Sequence, residues 1–210
     1  EKFSLKKVLL VTDKGIIENG WLEDVVKSLD ELGIEYILFT ELTPNPKDFE
    51  VMLGAESFKN NRCDGIIAIG GGSPMDLAKG VGIISTNGGM IVDYKGVDMI
   101  TKAIPPMIFI PTTAGTSADV SQFGIISDTK KKIKVAIVSK NIIPDVALID
   151  YETTLTMDNY LTACTGIDAF THAIEAYVSK VSSPLTDIHA IEAINIIYNY
   201  YISFRLMMYF

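Results

Sequence analysis

Residues able to do chemistry fall in four places along the chain. Gly70-Gly71-Gly72-Ser73 follows an apolar run and leads into a helical stretch opened by Pro74 and carrying Asp76 and Lys79. Glycines at such a turn let a diphosphate approach the backbone, and the amides and dipole of the helix start then donate to it. A tight turn without a ligand is the plain alternative. Asp13 ends the first apolar run, where a carboxylate accepts hydrogen bonds from ribose hydroxyls and repels an added phosphate, favouring NAD over NADP. Asp is equally good as a helix N-cap. Thr112, Thr113 and Thr116 surround the Ala114-Gly115 step. Their hydroxyls and amides suit phosphate, ribose or the nicotinamide amide, or simply hold the loop together. Asp168 and His172 stand four residues apart. On a helix they project from one face and can share a divalent cation, although such a pair alone is more often a surface ion pair. Glu175 shares that face as a partner behind the ligands, and His189, the other histidine, is left out of the site.

The elements that position these residues follow from apolar periodicity. Val8–Val11, Ile34–Phe39, Gly65–Ile69 and Pro106–Ile110 read as buried strands, with helices over Gly20–Leu32, Lys47–Asn60 and from Pro74 onward. Unbroken apolar strands alternating with helices imply a Rossmann-like parallel sheet covered on both faces. Ligands of such sheets bind beyond the carboxyl ends of the strands, so Asp13, the glycine turn and the threonine loop should converge on one crevice. Ser121–Ser127 and Ile133–Ser139 alternate and form an appended β-hairpin, and Pro74 is placed as the first residue of its helix. After Asp150 the pattern becomes helical, with almost no strand signal except at the chain's end. The expected organisation is an α/β dinucleotide-binding domain over residues 1–152 and the beginning of an all-helical domain over 153–210.

Composition sets outer bounds. The chain has 210 residues, 48% of them hydrophobic and 21% charged, which suits one domain and part of a second. A net charge of −8 argues against a nucleic-acid surface. The one basic cluster, Lys130-Lys131-Lys132 with Lys134, reads as a solvated hairpin tip. Cys63 and Cys164 follow no paired spacing and are read as reduced thiols, and no apolar stretch is long enough for a membrane span. A soluble, cytoplasmic protein is expected, with no signal peptide, no membrane partner and no nucleic-acid partner.

Taken together these residues resemble the iron-containing alcohol dehydrogenases. Gly70 to Lys79 matches that family's GGGSxxDxxK element, Pro111 to Thr116 its PTTAGT loop, and Asp168 to Tyr177, DAFTHAIEAY, its first metal helix. Val11-Thr12-Asp13 and Pro44-Asn45-Pro46 match in order as well. The resemblance implies NAD in the amino-terminal domain, a divalent metal (Fe2+, or Zn2+) in the helical one, and a small alcohol or aldehyde substrate between them. It places Asp13 at the adenosine ribose and Gly71, Gly72 and Ser73 at the diphosphate. Thr112, Thr113 and Thr116 line the cofactor, and Lys134 falls where the family has a cofactor-contacting lysine. Asp168 and His172 match two of four metal ligands. The implied reaction is metal-assisted hydride transfer between nicotinamide C4 and a small primary alcohol or diol, and a homo-oligomer is expected for the full-length form.

Two departures qualify the match. Asp119 stands where the loop usually continues to a glutamate, and the family's other two ligands, histidines much further along, lie beyond Phe210. The aromatic tail Tyr200–Phe210 is unlike the family's continuation, and its opening segment is missing before Glu1. The expectation is a chain truncated at both ends that binds NAD poorly and turns over little. The rival readings are a glycerol-dehydrogenase-like relative and a catalytically inactive nucleotide-binding or oligomer-forming module.

Overall fold

The computed structural model describes residues 3–202. Contacts divide the chain into two compact units, one formed by the residues up to Thr112 together with Ser117–Thr156, the other by Thr113–Thr116 and the chain from Met157 onward.

The first unit is an α/β layer structure. In chain order it holds β1 (Lys7–Val11), α1 (Lys14–Glu18), α2 (Trp21–Glu31), β2 (Glu35–Phe39), α3 (Asp48–Asn60), β3 (Gly65–Gly70) and α4 (Gly72–Asn87). There follow β4 (Gly96–Val97), β5 (Met107–Pro111), β6 (Phe123–Asp128), β7 (Ile133–Val138) and β8 (Val146–Ala147). Five strands pair in parallel in the order β2-β1-β3-β5-β8. Alternation along each strand explains its two faces. Leu9, Val11, Ile66, Ala68, Met107 and Phe109 point to a core closed by α3 and α4, whereas Val8, Leu10, Ile67, Ile69 and Ile110 face the side covered by α2. The α3–α4 contact is close enough that a Cβ on Gly54 would lie 2.6 Å from a Val81 methyl.

The appended hairpin is in fact part of a three-stranded sheet, β4-β7-β6, in which β6 and β7 are antiparallel and β4 joins β7 in parallel. At its tip, Asp128 accepts from the amides of Lys130 and Lys131, and Lys132 takes the left-handed conformation. Helix α4 begins at Gly72, with Gly71 as its N-cap, so Pro74 is the third helical residue rather than the first. Proline is still accommodated there because first-turn amides have no partner within the helix.

The second unit is helical. It comprises α5 (Asn159–Val178), α6 (Pro184–Ile196) and a π-helical turn, Ile197–Ile202. Asp158 caps α5 by accepting from the Leu161 amide, and Ser183 caps α6 through the Thr186 amide, ahead of Pro184 in the first turn. The strand signal expected at the chain's end lies outside the described residues. No helix among the described residues is long and apolar enough to cross a membrane.

Candidate nucleotide and metal sites

Strand register brings the first three polar segments to one edge. Val11 stands beside Ala68, and Gly70 beside Pro111, so β1, β3 and β5 deliver Asp13, Gly71 and Thr112 past the same carboxyl ends. Thr12, fully buried, donates its hydroxyl to the Ile69 carbonyl at 3.0 Å, and the Thr112 amide donates to the Gly70 carbonyl at 2.9 Å. These bonds continue the sheet by one residue and set the rim of the crevice.

Asp13 does cap a helix, the short α1, through Oδ1 and the Ile16 amide at 3.1 Å. Its Oδ2 points elsewhere, to within 3.4 Å of where a Cβ on Gly70 would stand. Gly70 is the glycine of the turn whose backbone demands no side chain. Its φ is +144°, and a Cβ would sit 2.8 Å from Pro74 Cγ. Gly71, with φ −83°, carries no such conformational demand. Sequence reasoning selected Gly71 and Gly72, whose amides open α4, and left out Gly70, which shapes the approach. The Ser73 hydroxyl accepts the Asn45 amide at 3.2 Å, tying the Pro44-Asn45-Pro46 turn to the helix start.

Sequence reasoning also assigned no role to Asp76 and Lys79. Lys79 is fully buried, and its ammonium donates to the Ser121 carbonyl (3.0 Å), the Ser121 hydroxyl (3.2 Å) and the Phe123 carbonyl (2.7 Å). Burial lowers its pKa to about 8, against the charges of Asp76 and Asp119, which favour the ammonium. Burial likewise raises Asp76 to about 6, opposed by Lys79, the Ile125 amide and Lys134. Spacing offered a hint, since Ser73, Asp76 and Lys79 recur every third residue on one helix face. Lys134 lies on β7, exposed, paired in register with Ser127.

Thr113 and Thr116 belong to the helical unit. Gly115 between them packs so closely on α5 that a Cβ would lie 2.9 Å from the Thr165 carbonyl oxygen. On α5 itself, His172 Nε2 stands 3.8 Å from Asp168 Oδ1, both side chains half-exposed. An imidazole nitrogen and a carboxylate oxygen on one face suit a divalent first-row cation. Among the described residues no third His, Cys, Asp or Glu joins them in a metal-holding group. Cys63 is buried and Cys164 exposed, both free thiols.

A large cavity of about 670 Å³ opens on the other face of the sheet, between Trp21, Val25, Leu29, Ile67, Ile108 and Leu148. Its lining is mostly aliphatic, with Asp24 and Asp150 as its charged groups and no basic residue, so it does not suit a phosphate.

The sequence profile of the iron-containing alcohol dehydrogenases matches residues 1–151, and that of the family's C-terminal region matches residues 162–204. The chain belongs to the iron-containing alcohol dehydrogenase family. The NAD-dependent methanol dehydrogenase of Bacillus methanolicus is 40% identical over 200 residues, which are 95% of this chain and 52% of that enzyme. The 1,3-propanediol dehydrogenase of Citrobacter freundii is 44% identical over 91% of this chain and 50% of its own length. The crystal structure of a 1,3-propanediol oxidoreductase superposes with a TM-score of 0.91 at 41% identity, covering 93% of this chain and 51% of that one. The chain thus spans about half the length of the curated relatives it matches.

Proposed function

We propose that this chain contributes the nucleotide-binding unit and two metal ligands of an NAD-dependent dehydrogenase acting on small primary alcohols or diols, and on the corresponding aldehydes in reverse. The observation that carries the reading is the Gly70 turn, where a side chain is excluded, set between Asp13 and Thr112 at the strand ends. In this reading Asp13 takes the adenosine ribose through Oδ2, and the amides of Gly71, Gly72 and Ser73 donate to the diphosphate. Thr112, Thr113, Thr116 and Lys134 hold the remainder of the cofactor, and Asp168 with His172 holds the cation, Fe2+ or Zn2+. When bound, the metal supplies Lewis acidity at the alcohol oxygen and NAD accepts the hydride.

Calorimetric titration of the chain tests both halves. NAD should bind, weakly but more tightly than NADP, because Asp13 repels the added phosphate. Under anaerobic conditions Fe2+ should bind weakly, and His172→Ala should lower its affinity by about tenfold or more. A chain that binds neither nucleotide refutes the nucleotide half; one that binds NAD but no cation is the inactive nucleotide-binding module.

Self-association belongs to the same proposal. Val178, Val181, Leu185 and Ile188, spanning the end of α5 and the start of α6, are all more than 60% exposed, and apolar side chains exposed in such number favour a partner surface. Size-exclusion chromatography with light scattering should find the chain larger than its 23.0 kDa monomer, and Val181→Lys with Leu185→Lys should return it toward the monomer.

A further inference from the structure

The geometry points to Lys79, together with Asp76, as the positioning pair that fastens the β6–β7 hairpin to α4 and so holds Lys134 beside the diphosphate turn; this inference rests on the nucleotide-binding reading above. The two residues grip β6 with opposite polarity. Lys79 donates to the Phe123 carbonyl, and the Ile125 amide lies where it favours the charged Asp76 carboxylate. Gly124 between them lies over the lysine stem at ordinary contact distance, its would-be Cβ 3.9 Å from Lys79 Cβ and Cδ. Two further bonds from Lys79 end on Ser121, so the irregular return from β5 is fastened as well.

All three ammonium hydrogens are committed to these protein acceptors. Lys79 therefore has none left for a phosphate, although it lies in a phosphate-binding motif. A methionine would fill the space without desolvating a charge, and what the lysine adds is direction. That direction reaches the crevice through the hairpin. Ser127 on β6 stands opposite Lys134 on β7, the Ser127 hydroxyl donates to the Asn45 carbonyl, and the Asn45 amide donates to Ser73 at the start of α4. Lys134 is close enough to Asp76 for its charge to favour the carboxylate. A displaced β6 would carry Lys134 away from the α4 N-terminus.

A double-mutant cycle on NAD affinity, measured on the 210-residue chain, tests this. Lys134→Met should weaken NAD binding about tenfold, and Lys79→Met by at least as much. The double variant should bind no more weakly than Lys79→Met alone, because the second change removes a group already misplaced. Multiplying effects would overturn the inference and leave Lys79 a purely structural residue. Amide exchange without nucleotide gives an independent reading. Lys79→Met should speed exchange in Phe123–Asp128 while β1 and β3 keep their protection, and unchanged exchange there would also sink the idea. Should Lys79→Met not fold, Ser121→Ala removes one acceptor only and should show the same coupling to Lys134 in smaller degree. A wild-type chain that fails to bind NAD refutes the nucleotide reading, whereas the exchange experiment still decides the fastening.

Discussion

Gly70→Ala should destabilise the chain by roughly 2–6 kcal/mol and abolish measurable NAD binding, the first read from denaturant midpoints and the second from calorimetry. Two penalties add. A left-handed φ of +144° is a conformation essentially reserved for glycine, and holding alanine there costs of order 1–3 kcal/mol. The new Cβ also meets Pro74 Cγ at 2.8 Å. That ring is locked into the first turn of α4 and cannot swing aside like the end of a flexible side chain, so overpacking adds about 1–3 kcal/mol. Against a total stability of about 5–15 kcal/mol this is a large fraction. Gly88→Ala is the control. It has a positive φ of +76° but nothing within 4 Å of its would-be Cβ, so it should show the conformational penalty alone. If both alanines cost the same, contact with Pro74 is not what fixes the turn. If Gly70→Ala loses stability yet binds NAD as before, the turn is not the diphosphate cradle.

The contrast between Gly70 and its neighbours shows what the sequence made legible. Three consecutive glycines ahead of Ser73-Pro74 mark a phosphate-type turn, but which of them needs to be glycine depends on φ and on the placement of Pro74, and neither follows from composition. The central strands were plain because burial on both faces leaves unbroken apolar runs such as Gly65–Ile69. The two-residue strands β4 and β8 were not, since two residues carry no period. The burial of Lys79 was illegible for a different reason, although its spacing from Ser73 and Asp76 hinted at a shared face. Lysine is almost never fully buried, so its presence on a helix face reads as solvated, and only the backbone of Ser121 and Phe123, more than forty residues along the chain, supplies its partners. Gly115 is similar, because what excludes its side chain is Thr165 on α5. Asp168 and His172 were placed on one helix face by spacing, but spacing alone favours a surface pair. Membership of the family, rather than their geometry, lends weight to reading them as ligands.

Asp76 makes the second large prediction, one of pH dependence. Its carboxyl is raised from 3.8 to about 6 in the folded chain because burial disfavours the charged form more than Lys79, the Ile125 amide and Lys134 together favour it. Between these values the folded chain holds a proton that the unfolded chain has released, so unfolding stability falls as pH rises. The contribution is fully present below about pH 4 and is lost once pH passes about 6. A shift of about two units corresponds to roughly 3 kcal/mol. Asp76→Asn removes the titration while keeping the shape. The difference in stability, wild type minus Asp76→Asn, should therefore drop by roughly 3 kcal/mol between pH 4 and pH 7, measured by urea unfolding at each pH. A difference that stays flat, or that rises with pH, would mean Lys79 and Lys134 stabilise the carboxylate as much as burial opposes it, or more. At pH 7 the same variant leaves Lys79 buried with only Asp119 to compensate its charge. The β6–β7 hairpin of Asp76→Asn should accordingly exchange its amides faster than that of the wild type, linking the titration of this carboxyl to the strand that carries Lys134 into register.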